Sequence, residues 1–197
     1  MLELPAAPRV VHVVCATVKP DAASEAVALA LDLARGLSAA AGARWVLCGA
    51  DSGLIVAATW LDGREALEPF AASPPHMAFV MRGLAPCIQG MWSAGVETDA
   101  PPPESAAALW VFAVRDSEAL YEWQVRDLVH ALATLPGHAA AGPTFEERDR
   151  YRGGGVFALA AAEIEPFRIA LDSARAGWGD IAALLTEGFV RLDAARA

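Results

Sequence analysis

One ordered series of six segments (strand, helix, strand, strand, helix, strand) can be read twice along this chain, once on each side of a proline run. Val10 to Val18 is β-branched and apolar and is closed by Lys19-Pro20, which predicts a strand buried on both faces. From Asp21 to Ala41 the pattern changes to helical spacing. Val27, Leu31, Ala34 and Leu37 share a face, Ser24 is the expected N-cap and Gly42 the stop. Arg44–Ala50 and Leu54–Trp60 predict two strands joined by an Asp51-Ser52-Gly53 hairpin turn. Arg64–Phe70 and His76–Leu84 are helical, interrupted at Ser73-Pro74-Pro75, because proline fits a helix only in its first turn. Gln89–Thr98 is the fourth strand.

Residues 100–106, with the run Ala100-Pro101-Pro102-Pro103-Glu104-Ser105, read as a stiff, extended linker between repeats spanning 8–99 and 107–197. After it, Leu109–Val114 predicts a strand. Ser117–Leu135 predicts a helix with Leu120, Val125, Leu128, Val129 and Leu132 on its apolar side, stopped at Gly137. His138–Glu146 is a weak strand, Glu147–Arg152 a charged turn and Gly155–Ala161 a third strand. A helix over Glu165–Leu185, broken near Gly177, and a strand over Gly188–Leu192 complete the order. Glu68-Pro69-Phe70 recurs as Glu165-Pro166-Phe167, 97 residues on, an offset that sets Cys15-Ala16 against Phe112-Ala113. The order is that of the ferredoxin-like βαββαβ unit. Each such sheet carries helices on one face and leaves the other open. The expected fold is therefore α+β, with two antiparallel sheets covering each other's open faces in an eight-stranded barrel, helices outside. Such a fused pair could stay a monomer or form a homodimer.

The charge balance narrows the partners. A net charge of −9 and a pI near 4.8 disfavour a phosphate backbone, so no nucleic acid is expected. No apolar run reaches the ~20 residues of a membrane helix, and residues 1–9 lack a signal-peptide core, so no membrane association and a cytoplasmic location are expected. Cys15, Cys48 and Cys87 have no CxxC spacing and sit among apolar residues, the setting of buried, reduced thiols. No metal-ligand spacing surrounds His76. Gly153-Gly154-Gly155 lacks the strand-then-helix setting of a phosphate loop.

Residues 58–86 read ATWLDGREALEPFAASPPHMAFVMRGLAP. With Trp60, Asp62, Glu65-Ala66-Leu67, Ser73-Pro74, His76 and Leu84-Ala85-Pro86 in place, this segment resembles the antibiotic biosynthesis monooxygenase family of the dimeric α/β-barrel superfamily. The close match covers about thirty residues and the element order extends it over the first half. Phe70 stands where many members carry a histidine, Pro75 is an extra residue before His76, and Asp172-Ser173 occupy the second-half counterpart of Pro75-His76. The resemblance implies a monooxygenase that works on a small phenol, quinol or polyketide-type aromatic with dioxygen and without metal, flavin or other cofactor. It places the active pocket in the first half. Related haem-degrading enzymes use an Asn, a residue absent here.

Such chemistry asks for a dry aromatic pocket, one base for a phenolic proton and donors for an oxyanion. His76 is the expected catalytic acid/base, against the plainer alternative of a structural histidine near a helix start. Trp60, Phe70, Phe79, Trp92 and His12 are the expected substrate-binding residues, each with a core role as the alternative. Arg44, Arg82 and Tyr121 could hold polar substituents. The competing functional expectation is a small-molecule-binding or interaction protein that keeps the barrel without the chemistry; a lactone isomerase is a weaker third.

Overall fold

The computed structural model describes residues 9–117, 122–145 and 151–192. The first half runs β1 (Arg9–Val18), α1 (Ser24–Arg35), β2 (Ala43–Asp51), β3 (Leu54–Leu61), α2 (Leu67–Ala72), α3 (Pro74–Ala78), a π-helical turn over Phe79–Leu84, the short α4 (Ala85–Cys87) and β4 (Ile88–Thr98). The second runs β5 (Ala108–Arg115), α5 (Glu122–Ala133), β6 (His138–Pro143), β7 (Tyr151–Leu159), α6 (Ile164–Arg175) and β8 (Leu185–Arg191). Each half forms a four-stranded antiparallel sheet, in the orders β2-β3-β1-β4 and β6-β7-β5-β8. The fold is α+β, with ferredoxin-like order in both halves.

Several boundaries differ from the sequence reading. Ser24 is the first helical residue, Ala23 takes the N-cap place without a side-chain bond, and the Ser24 hydroxyl turns to Glu25 instead. The helix gives way to a 3-10 turn at Gly36–Ala39 before Gly42, whose φ of 74° is the left-handed stop a glycine supplies. Tyr151 and Arg152, expected in a charged turn, already belong to β7, which ends at Leu159 rather than Ala161. Gly153-Gly154-Gly155 lie within that strand. The last long helix ends at Arg175, a 3-10 turn spans Gly179–Leu184, and β8 starts at Leu185. Leu120, Tyr121 and residues 146–150 lie outside the described residues.

Strand alternation sends side chains to three cores. Val11, Val13, Cys15, Val56, Ala58 and Trp60 meet Leu109, Val111, Val156 and Val190 between the two sheets. The alternate residues of β1, Val10, Val14 and Ala16, face α1, where Ala30, Ala34 and Leu37 are buried with Phe70, Phe79 and Leu84. In the second half Trp110, Phe112, Phe157 and Phe167 pack with Val125, Leu128 and Leu132 of α5. The sheets close on each other along both edges. Val96 of β4 bridges Thr144 just past β6, and Gly49 of β2 lies so close to β8 that a Cβ there would stand 3.1 Å from the Arg191 carbonyl.

Pair register also corrects the internal alignment. Val10 pairs with Leu61 and Ala108 with Leu159; His12 pairs with Thr59 and Trp110 with Phe157. These strands therefore correspond at an offset of 98, and 97 holds only for the helix carrying Phe70 and Phe167. An offset of 97 would set Cys15, which faces the other sheet, against Phe112, which faces the helices, and a period-two strand forbids that.

The sheet-to-sheet contact leaves no spare volume at Gly188, where a Cβ would meet the Cys15 sulfur at 2.7 Å. Gly188→Val should lower stability by about 1–3 kcal/mol through overpacking, and Cys15→Ala in the same chain should restore part of the loss. Urea unfolding of the two single variants and the double variant measures both effects.

Candidate functional site

In the first half a cavity of about 680 Å³ lies between the helix-facing side of the sheet and the helices that follow β3. Its floor is His12 and Val14 of β1 with Met91 and Ser93 of β4; Leu67, Glu68 and Ala71 of α2 form one wall. His76, Phe79, Val80 and Leu84 form the other. The π-helical turn makes that second wall possible. Its i→i+5 winding stacks residues five apart, so Phe79 and Leu84 present to one side, where an α-helix would rotate them away from each other.

The Ser73-Pro74-Pro75-His76 run is a built helix start. Ser73 is the N-cap of α3, its buried hydroxyl accepts from the His76 backbone N–H at 3.4 Å and donates to the Phe70 carbonyl at 2.6 Å. The two prolines occupy the first turn, where a missing N–H costs nothing. The insertion of Pro75 is thereby absorbed without breaking the helix. His76 is half-buried, and its Nδ1 lies 2.9 Å from the Ala71 carbonyl oxygen. A carbonyl only accepts, so Nδ1 carries the hydrogen and Nε2 is the nitrogen able to take a proton. Burial lowers the His76 pKa below its ordinary 6.5; the bond to Ala71 opposes this and the neighbouring His12 adds to the lowering. The shift favours the neutral imidazole.

Phe70 is buried behind this histidine, with ring centroids 4.8 Å apart, and stands 5.8 Å from the His12 ring. The centroids of His12 and His76 are 6.4 Å apart. His12, His76, Phe70 and Phe79 are thus brought together at one place. Trp60 and Trp92 are not. Trp60 pairs with Val11 and is fully buried between the sheets, where its Nε1 has no hydrogen-bond partner among the described residues. Trp92 pairs with Cys15, points to the same side and lies 6.0 Å from the Tyr151 ring. Both rings face away from the cavity.

Of the arginines, Arg44 is held by Asp62 at 2.5 Å on β2, and Arg82 is exposed on the π-turn. Glu68, Met91 and Ser93 were not singled out by sequence. Ser93 could have been found from its alternation with Trp92 on β4, once the face carrying Trp92 was known. The cysteines are poorly nucleophilic: burial pushes the Cys15 thiol up to about 12 and Cys48 to about 11. Among the described residues no group of three or more His, Cys, Asp or Glu is placed to hold a metal ion, and no helix is long and apolar enough to cross a membrane.

The second half carries different residues at the matching positions. Register places Trp110 where the first half has His12, Phe112 for Val14, Phe157 for Thr59 and Glu187 for Ser93. Trp110 stacks on Phe112 at 5.0 Å and packs against Phe157 and Phe167 at 5.4 Å. Its Nε1 donates to Glu187, which also pairs with Arg175. The floor that is open in the first half is an aromatic stack in the second.

Comparison with solved structures agrees with the fold. A protein of Fusobacterium nucleatum described as a "putative monooxygenase" aligns over 94% of this chain and 92% of its own, with 12% identity and a TM-score of 0.60. A dimeric ferredoxin-like protein of unknown function from Thermobifida fusca covers 49% of this chain and 96% of its own, at 16% identity and a TM-score of 0.43. No family model matches the chain, and no curated protein matches it.

Because Ser73 ties the end of α2 to the start of α3, Ser73→Ala should cost about 1 kcal/mol and loosen His76. Thermal unfolding tests the first effect. The second appears as exchange broadening of the His76 ring signals in NMR, against sharp signals in the unsubstituted chain.

Proposed function

We propose that the first-half cavity binds a small, flat phenol or quinol and that the chain acts on it as a cofactor-independent monooxygenase, with His76 as general base. The observation that carries this reading is His76 with Nδ1 engaged by the Ala71 carbonyl and Nε2 left to take a proton, set in the wall of an apolar cavity large enough for a bicyclic or tricyclic aromatic. The overall similarity to the Fusobacterium protein supports it. Phe79, Val80 and Leu84 would cover the ring faces, and Phe70 would hold the imidazole in place. Trp60 and Trp92 take the core alternative.

In the reaction, Nε2 of His76 takes the phenolic proton. The resulting phenolate is electron-rich enough to reduce dioxygen, and the ring carbon opposite the oxygen bonds to one oxygen atom. That carbon then loses its hydrogen as a proton while the O–O bond breaks. The second oxygen takes up that proton and the one held on Nε2 and leaves as water, so His76 is neutral again and the product is the quinone. One phenol and one dioxygen thus give one quinone and one water, with all electrons supplied by the substrate.

The expected small-molecule-binding alternative shares this cavity and lacks only the oxygen step. Incubation of naphthols and anthrones that carry hydrogen on the carbon opposite the oxygen, under labelled dioxygen and read by mass spectrometry, separates the two. We expect one label per product molecule and turnover only in the first half, because the second-half cavity of about 440 Å³ beside Trp110 is lined by Arg168, Asp172, Arg175 and Glu187 and by no histidine. His76→Ala should reduce turnover by about 10²–10⁴-fold. A lowered pKa keeps the base form populated on the acid side, so the rate should hold as pH falls through 6.5 and decline only below it. His12 on β1 and Glu68 on α2 are the other ionisable groups of the cavity, so the decline must vanish in His76→Ala to be assigned to His76. Turnover unaffected by that substitution would remove His76 from the mechanism.

A further inference from the structure

Taking this cavity as the ligand site, we propose that it sorts ligands by hydrogen-bond polarity, holding an aromatic in its hydroxyl-bearing form and releasing the corresponding quinone. The bond from Nδ1 of His76 to the Ala71 carbonyl fixes which nitrogen bears hydrogen, so Nε2 of the neutral ring offers only a lone pair. The Glu68 carboxylate on the α2 wall is an acceptor as well. Ser93 can donate or accept, and no lysine or arginine is among the described lining residues.

A hydroquinone meets this set with O–H donors. A quinone of the same outline brings two carbonyl oxygens, which are acceptors only. Opposite Nε2 that oxygen meets another lone pair, and both groups lose water without gaining a partner. The phenol-to-quinone conversion would then turn a matched ligand into a mismatched one, so that chemistry itself drives product release. Shape cannot provide this, because the two forms have nearly the same size.

The test is anaerobic calorimetry with three matched probes: a fully ring-substituted naphthohydroquinone, its quinone and its bis-methyl ether. Full substitution blocks addition to thiols, and the absence of oxygen separates binding from turnover. The hydroquinone should bind about tenfold tighter than either the quinone or the ether. In His76→Gln, whose amide both donates and accepts, the gap should shrink to about threefold or less. Equal or tighter quinone binding in the wild type, or a gap unchanged in His76→Gln, overturns the proposal. Binding of none of the three overturns the reading of the cavity as the ligand site, and this inference with it. A hydroquinone preference without label incorporation from dioxygen would instead sink the oxygenase reading and leave this one standing.

Discussion

The contact between the two sheets is the interaction on which everything else in this molecule rests. A four-stranded sheet with helices on one side has a second face that water cannot satisfy, and here each half supplies the cover for the other. Val11, Val13 and Cys15 of one central strand lie over Leu109 and Val111 of the other. Once those residues point between the sheets, alternation leaves no choice for their neighbours. His12 and Val14 must face the helices, and the cavity floor is set before any residue of the cavity makes a contact of its own.

This dependence explains what the sequence could and could not reveal. Periodicity identified which residues share a face: Trp60 with Ala58 and Val56, His12 with Val14. It could not say which face looks toward a ligand, because valine, alanine and tryptophan suit a sheet-to-sheet core as well as a pocket wall. The two strand tryptophans went to the core, and the polar residues that line the cavity, Ser93 and Glu68, carry no motif that would mark them. His76 was legible for a different reason. Its position depends on local chemistry, the Ser-Pro-Pro run that starts a helix, and local chemistry is written in consecutive residues. The π-turn that follows it was not legible, since its extra residue is accommodated by packing rather than by any residue type.

The alignment of the halves shows the same limit. The shared Glu-Pro-Phe tripeptide correctly joined Phe70 to Phe167, yet the strands before it correspond one residue further on. One residue fewer between β7 and its helix than between β3 and its helix accounts for the change. In a loop such a deletion is tolerated; carried into a strand it would invert every side chain. Face, rather than letter identity, decides which residues are equivalent.

Fusion makes that equivalence unequal. In a dimer of identical chains both floors must carry the same residue, so a change that fills one cavity fills the other. In a single chain each floor can change alone. Trp110, Phe112, Phe157 and Phe167 give the second half an aromatic core with its indole N–H bonded to Glu187, while the first half keeps a histidine, a serine and open space at the matching positions. A buried aromatic cluster contributes more to stability than a cavity lined by polar groups can. The second half can therefore hold the barrel together while the first tolerates the void and the partly buried imidazole that ligand chemistry requires.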